Sequence, residues 1–276
     1  MKKTLLSLLI VSSMLVACNH DDDTFKTYQY DEQRFYMLTA DEQMWPGGEP
    51  LPVDNSYSIQ WPASNTFSPD VTLELLQRCF HDSTANSLSE ATNHWLSNTW
   101  FYDEDSQYIH KKTVDSIGNP EHYSYGRLEG KIVRDSNLAT FIFTTETFMA
   151  FAAHGNHTAT YTLVDLDTKQ IVHLNDLVDT AQLGEVIVRA IEDLTVNKDV
   201  YDCLFDEFRN AQKFPVPSNF FIDSTRSCIN LVYGLYDIAP YACGIQTVVM
   251  PIFWLSKHIP LTPYCKELFG EGCSID

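Results

Sequence analysis

The feature of this 276-residue sequence that most constrains its fold is a region of alternating residues at 121–174. This region is rich in Tyr, Phe, Val, Ile and Thr, and its apolar residues recur at nearly every second position. Such alternation is typical of strands with one face in a core, because successive side chains point to opposite faces of a sheet. The longest runs cover 138–151 and 158–164, and the polar segment 165–170 precedes a shorter run at 171–174. The pattern predicts a meander of antiparallel strands.

Helical patterns lie on both sides of this region. The strongest covers 182–194, where apolar residues are spaced by three and four. Another begins at Ser68-Pro69-Asp70, because Ser caps a helix and Pro and Asp favour its first turn. Weaker helical patterns cover 87–101 and 199–211. The sequence therefore predicts an α+β fold, with antiparallel β-sheets and flanking helices.

Shorter strand signals complete the predicted elements. Aromatic residues partly alternate over 24–38, which indicates a first strand or hairpin. Segment 44–52 is dense in Pro and Gly and is predicted as a loop, and the strand at 57–61 meets Pro62, which ends it or confines it to a sheet edge. Further predicted strands are 220–223, 228–233 and 247–252, the last leading into a helical turn that ends near His258.

The N-terminus has the form of a secretion signal. Lys2 and Lys3 precede an apolar stretch at 4–16, which is within the signal-peptide range and short for a spanning helix. Leu15-Val16-Ala17-Cys18 resembles the lipobox at which bacterial lipoproteins are acylated and cleaved. The sequence predicts a signal peptide at 1–17, lipidation of Cys18 and a lipidated tether at 18–26. The alternative is an ordinary signal peptide with a coincidental cysteine.

The charge of the chain excludes one class of partner. Lys and Arg total 18 against 37 Asp and Glu, which gives a formal net charge of -19. A broad basic patch for nucleic-acid phosphates is incompatible with this balance. Anionic lipid surfaces should also repel the chain, so membrane association is assigned to acyl chains on Cys18. An acidic run follows at 19–23, which is either a surface-export signal or a solvated tether. We expect an outer membrane lipoprotein, periplasmic or surface-exposed.

Six cysteines remain beyond Cys18, and in an oxidising compartment they would form up to three bridges. They are Cys79, Cys203, Cys228, Cys243, Cys265 and Cys273. Spacing alone does not select a pairing, although Cys265 and Cys273 would close a short C-terminal loop. At least one disulfide is expected, and the alternative is a set of small buried thiols.

Two segments resemble the extracellular module shared by the anti-sigma factor RsiV and the peptidoglycan deacetylase PdaC, the family of domain of unknown function 3298. Residues 151–157, Phe-Ala-Ala-His-Gly-Asn-His, resemble the family's Gly-Gly-Ala-His turn, and 161–171 resemble its following strand and hairpin. Residues 236–244, Tyr-Asp-Ile-Ala-Pro-Tyr-Ala-Cys-Gly, resemble its Tyr-Glu-Ile-Ala-Pro-Tyr-Ala-x-Gly motif. Phe151 and Ala152 stand where the family has glycines.

The resemblance extends to a companion N-terminal module and covers residues 55–260. It implies an N-terminal companion subdomain at 27–120 and a C-terminal subdomain at 121–276, again with an α+β fold. It does not imply catalysis, because the deacetylase chemistry belongs to a separate domain. In the anti-sigma factor the module binds lysozyme.

Candidate ligand-binding residues lie in the two matched segments. They are His154, His157, Tyr236, Asp237 and Tyr241. Tyr236 and Tyr241 could form an aromatic ledge for a sugar ring, or they could pack a rigid connection. His154 and His157 with His173 or a carboxylate could bind zinc or copper, although a loop histidine beside a sheet is more often structural.

The predicted function is non-enzymatic binding of a cell-envelope ligand, either a lysozyme-like cationic protein or a peptidoglycan glycan. Neither a glycine-rich nucleotide motif nor a common hydrolase or zinc-protease motif occurs, and no cofactor or resident metal is predicted. The alternative is an envelope glycan hydrolase that uses paired carboxylates such as Asp103, Glu104 and Asp105.

Overall fold

The computed structural model describes residues 24–38, 51–98, 110–113, 124–148 and 152–270. The predicted signal peptide, Cys18 and most of the tether lie outside these residues, and so does the carboxylate cluster at 103–105. Lipidation of Cys18 therefore stays a prediction.

The described chain forms ten strands and eight α-helices. The strands are β1 (Phe25–Leu38), β2 (Leu51–Pro62), β3 (His110–Thr113), β4 (Ser124–Asp135), β5 (Leu138–Phe148), β6 (Asn156–Asp165), β7 (Gln170–Val172), β8 (Phe220–Asp223), β9 (Cys228–Tyr233) and β10 (Gln246–Pro251). The helices are α1 (Pro69–Phe80), α2 (Leu88–Asn98), α3 (Leu174–Leu177), α4 (Leu183–Asp193), α5 (Lys198–Cys203), α6 (Asp206–Arg209), α7 (Ile252–Leu255) and α8 (Pro263–Phe269). The α+β class predicted from the sequence is confirmed.

Seven strands form one sheet in the order β3-β1-β2-β4-β5-β6-β7, and three form a second in the order β10-β9-β8. All pairs are antiparallel except β2 with β4, whose parallel register joins Val53 to Ser124 and Ile59 to Gly130. Parallel neighbours need a long crossover, and the chain between them contains α1 and α2. The predicted boundary at 120/121 falls between β3 and β4, two strands of the same sheet.

The large sheet separates two hydrophobic cores. Phe141 and Phe143 pack with α1 and α2 on one face, which we call the helix face. Leu138 and Leu163 pack with α4 and the small sheet on the opposite face, which we call the outer face. Neighbouring residues in β5 and β6 thus enter different cores, as the two-residue period of a strand requires. The C-terminal layer covers the outer face at β5, β6 and β7.

Two asparagines connect elements of this C-terminal layer. Asn197 is fully buried, donates to the carbonyls of Ala190 and Val249 at 2.8 and 3.0 Å, and accepts from the Val249 N–H at 2.9 Å. It thereby links α4 to β10.

Asn219 connects the two sheets. Its side-chain amide donates to the Ala159 carbonyl at 2.7 Å and accepts from the Tyr161 N–H at 2.8 Å. β7 pairs only with residues 163–165 of β6, so the Ala159 carbonyl and the Tyr161 N–H lie on the part of the β6 edge that β7 does not cover. Its backbone carbonyl accepts from the Val232 N–H of β9 at 2.9 Å.

Three predicted elements differ from the structure. The helix predicted at 199–211 is two short helices, α5 and α6, because the chain becomes extended at Leu204 and Phe205. The loop predicted at 44–52 extends too far, since β2 begins at Leu51. Sequence reasoning did not predict α8, although Thr262 caps it and Pro263 occupies its first turn.

The expectation of at least one disulfide is confirmed by the bridge between Cys203 and Cys243. Cys79, Cys228 and Cys265 are buried. Cys273 lies outside the described residues, so its suggested pairing with Cys265 stays a prediction. Across the described parts of the chain, no helix has both the length and the apolar character to span a membrane.

The loop between α1 and α2 depends on the carboxylate of Asp82. This carboxylate accepts from the Thr84 hydroxyl at 2.6 Å and the Thr84 N–H at 2.8 Å, and it pairs with His94 at 2.6 Å. The hydrogen bond from the Thr84 hydroxyl, followed by the His94 contact, lowers the pKa of Asp82 well below its ordinary value. A depressed pKa stabilises the fold above the unfolded-state pKa of about 3.9, and this stabilisation is lost as pH falls further.

We expect Asp82→Asn to lower the free energy of unfolding by about 1–2 kcal/mol at neutral pH, because charge-assisted hydrogen bonds are lost. The difference from wild type should shrink below about pH 4, where the unfolded-state carboxyl becomes protonated. Urea unfolding at a series of pH values measures it. Asp202→Asn, on an exposed side chain of α5, is the matched control and should change little. A pH-independent difference would contradict the assignment.

Candidate functional site

Four of the five candidate residues meet in an aromatic cluster, which we call the ledge: His154, His157, Tyr236 and Tyr241. The His154 and Tyr241 rings are stacked with centroids 3.8 Å apart. The His157 ring meets Tyr241 edge-on with centroids 6.0 Å apart, and the Tyr236 ring is tilted against Tyr241 at the same centroid distance. Tyr241 is therefore the centre of the ledge.

The loop before β6 positions His154. A Cβ atom at Gly155 would lie 2.7 Å from the Thr147 carbonyl oxygen, so only glycine permits this approach to β5. His154 Nδ1 lies 3.0 Å from the Gly155 carbonyl oxygen, which can only accept, so Nδ1 carries the proton. In the neutral ring, Nε2 then accepts from the Tyr236 hydroxyl at 3.4 Å.

Tyr236 is held in an unusual backbone conformation. Its φ of 66° is in the left-handed region, and the residue is 56% exposed. The Asp237 carboxylate accepts from the Gly234 N–H at 2.6 Å, which closes this turn. Non-glycine residues in this backbone region cluster at active sites and ligand clamps. The Asp237 carboxylate, which the sequence predicts as a ligand contact, is thus hydrogen-bonded within the turn that carries Tyr236.

The segment that carries Tyr241 is fixed at several points. Cys243, in the same turn of 3-10 helix, is bridged to Cys203 at the end of α5. The Gln246 side chain donates to the Cys243 carbonyl at 2.6 Å, and the Phe205 N–H donates to the Ile238 carbonyl at 3.0 Å. These links fix the segment that carries Tyr241, and a surface fixed in this way loses little conformational entropy if it binds a ligand.

Beside the ledge, three polar residues form a row across the outer face of the large sheet, which we call the polar row. Glu146 is in register with Arg127 on one side and with His157 on the other. Directly opposed residues in antiparallel strands have Cβ atoms about 5 Å apart. The Tyr125 hydroxyl donates to Glu146 at 2.7 Å, and its ring stacks on Phe148 at 5.8 Å. The polar row therefore contacts the Tyr125–Phe148 pair through Glu146 and meets the ledge at His157.

The polar row crosses a groove of about 790 Å³ on the outer face. Ile245, from the C-terminal layer, also lines this groove. Residues from five strands line it, including Gln29, Ser56, Ser58, Glu129, Thr144 and the polar row. Its volume is within the range of ligand pockets, and its lining offers many hydrogen-bonding groups.

The structure does not assemble the metal site considered from the sequence. His173 lies away from the ledge, where Arg78 donates to its Nδ1 at 2.8 Å and Glu74 lies 3.5 Å from its Nε2. Within the described ranges, no three His, Cys, Asp or Glu side chains are arranged to hold a metal ion. The carboxylates at 103–105, which the hydrolase alternative needs, lie outside these ranges.

Sequence reasoning missed Arg127, Glu146 and the Tyr125–Phe148 pair. Alternation in β4 and β5 assigns these side chains to one face of each strand. Their approach to His157 follows from the register of three strands, which the local pattern does not contain.

No protein-family model matches the sequence, and no curated protein matches it. The solved structures that match include two DUF3298 family proteins. A member of the DUF3298 family from Bacteroides fragilis is 16% identical with a TM-score of 0.52, over 93% of this chain and 97% of that protein. A DUF3298 family protein from Pseudomonas aeruginosa is 16% identical with a TM-score of 0.46, over 87% and 95%. The chain thus has the fold of the Bacteroides fragilis protein, and the resemblance seen in the sequence is confirmed at the level of fold.

Proposed function

We propose that this protein is a non-enzymatic lipoprotein of the cell envelope that binds a glycan across the ledge and the polar row. The observation that carries the proposal is the ledge itself. Partly exposed rings of Tyr236, Tyr241 and His154 are held together at the end of an open polar groove. The apolar face of a sugar ring packs on aromatic rings, while its hydroxyl groups need polar partners at the edge.

The polar row supplies those partners. The Glu146 carboxylate accepts hydrogen bonds, the Arg127 guanidinium donates them, and His157 offers a ring nitrogen. A groove that crosses five strands suits an extended chain of sugars better than a single small molecule. Peptidoglycan is a glycan of this kind, and a chain anchored through Cys18 at the outer membrane would be within its reach.

Sedimentation with purified peptidoglycan tests this proposal. The full chain, purified in detergent, should sediment with peptidoglycan sacculi and bind soluble N-acetylglucosamine oligomers in calorimetry. Binding should persist at about 1 M salt, where interactions between exposed charges are screened. Absence of binding in both assays would contradict the glycan proposal, and release of soluble fragments would contradict its non-enzymatic part. Mass spectrometry of the mature N-terminus tests acylation of Cys18.

One surface favours a second candidate, a lysozyme-like cationic protein. Between residues 192 and 207 the chain carries six acidic side chains, all exposed, and one Lys. Val196 and Tyr201 are exposed among them, at 54% and 39%. Opposite charges accelerate encounter between proteins, and exposed apolar residues supply contact area. This acidic surface includes α5, which the disulfide joins to the ledge segment.

Hen egg-white lysozyme provides the test of the second candidate. Binding that is strong at low salt and lost at about 1 M salt would support it, because exposed charge pairs are then screened. Replacement of Asp199 and Asp202 by Lys should abolish such binding and leave sedimentation with sacculi unchanged. Salt-insensitive binding, or none, would contradict the cationic-protein candidate.

The disulfide gives a prediction about the ledge. We expect the double variant Cys203→Ser/Cys243→Ser to bind glycan oligomers about 10-fold more weakly, because the Tyr241 segment loses a fixed point. The free energy of unfolding should fall by about 2–3 kcal/mol, since the bridge closes a long loop. Calorimetry and urea unfolding measure the two effects.

The wild-type protein in reductant should match this variant, and the reductant should not affect the variant further. Unchanged glycan affinity in both cases would show that the disulfide does not support the ledge.

A further inference from the structure

A second cavity lies on the helix face of the large sheet, opposite the ledge. It has a volume of about 250 Å³ and lies between the β1–β2 strand pair and the first turns of α1 and α2. We call it the helix pocket. Its lining includes Tyr28, Tyr57, Trp61, Leu88, Ser89 and Thr92.

The aromatic wall of the helix pocket is rigid. Trp61 is 5% exposed, and Phe141 and Phe143 contact its ring edge-on at 6.2 and 6.0 Å. Tyr57 is 8% exposed and stacks on Tyr30 at 5.2 Å. A wall held by its own packing keeps its shape when the pocket is empty, so little ordering is needed on binding.

The lining selects against charged ligands. Every residue that lines the helix pocket is uncharged, although 20% of the chain is charged. An ion that leaves water for such a site finds no opposite charge, and its desolvation is costly. The pocket therefore suits a neutral molecule.

The rim supplies polar groups. Ser64, Asn65 and Ser89 are exposed there, and no described residue hydrogen-bonds to their side chains. Asn65 adopts a left-handed backbone with φ of 72°, in the turn between β2 and α1. A purely aromatic ligand would offer no hydrogen-bond partners to these rim side chains. A sugar ring has an apolar face for the aromatic wall and hydroxyl groups at its edge for the rim.

The size of the pocket limits the ligand to about one ring. An apolar cavity of about 150 Å³ takes a benzene molecule, so this larger one accommodates a substituted six-membered ring. We propose that the helix pocket binds one neutral sugar ring, stacked on the wall of Tyr28, Tyr57 and Trp61 and hydrogen-bonded at the rim. This site is separate from the ledge and does not depend on the function proposed there.

Calorimetric titration of the full chain with N-acetylglucosamine tests the proposal, with phenol and indole as comparison ligands. We expect the sugar to bind and Ser89→Trp, which places a ring in the pocket mouth, to lower its affinity at least about 10-fold. Asn93→Trp is the matched control, because Asn93 is exposed on the same helix and does not line the pocket. It should leave the affinity within about twofold of wild type.

The outcomes separate the two sites. Tyr241→Ala, in the ledge, should not change single-sugar binding, and Ser89→Trp should not change sedimentation with sacculi. Absence of sugar binding, binding of phenol or indole alone, or equal affinities of Ser89→Trp and wild type would each overturn the proposal.

Discussion

Replacement of Tyr241 by Ala should reduce the affinity for N-acetylglucosamine oligomers by about 50-fold, because Tyr241 contacts the other three ledge rings. Its loss removes a stacking surface and also releases His154 and Tyr236 from their packing. Residues at the centre of a binding surface contribute the largest share of affinity. Calorimetry with the soluble oligomers measures the change.

Two variants control this experiment. Tyr241→Phe keeps the ring and should stay within about threefold of wild type. Tyr201→Ala removes a tyrosine that is 39% exposed on the acidic surface, and it should leave glycan binding unchanged. If Tyr241→Ala bound the oligomers as wild type does, the ledge would not be the glycan site.

The second large effect concerns stability. We expect Asn197→Ala to lower the free energy of unfolding by about 3 kcal/mol, because the change removes three hydrogen bonds. The Ala190 carbonyl still accepts from the Leu194 N–H, whereas the N–H and C=O groups of Val249 lose the partner that Asn197 supplies. Both groups lie beside the core that holds α4 on β10. Urea unfolding followed by circular dichroism measures the loss.

Asn175→Ala is the matched substitution for this measurement. Asn175 lies exposed in α3, so its removal should cost less than about 0.5 kcal/mol. A similar small loss for Asn197→Ala would mean that water replaces the missing amide, and the proposed link between α4 and β10 would be wrong.

The sequence predicted elements whose signals are local. The alternation in β5 and β6 and the three-and-four spacing in α4 each follow from which side of one element is buried. The parallel pairing of β2 with β4 was not predicted, because it depends on how the chain returns after α1 and α2. The break between α5 and α6 was also missed, since apolar spacing continues through Leu204 although the backbone does not.

The candidate site divides in the same way. The residues of the ledge came from the resemblance, and the structure brings His154, His157, Tyr236 and Tyr241 together. Glu146 carries no motif, and its place beside His157 depends on the register of β5 with β6. The polar row could be predicted from the sequence only if the register of these strands were already known.

The amide of Asn219 has a consequence for how copies of this protein behave toward each other. Beyond β7, the margin of β6 would otherwise present unsatisfied N–H and C=O groups, which are a template for an added strand from another molecule. The Asn219 side chain satisfies the groups at 159 and 161, and the backbone carbonyl of the same residue accepts from β9. Asn219 thus occupies hydrogen-bonding groups to which a strand of another molecule would otherwise add.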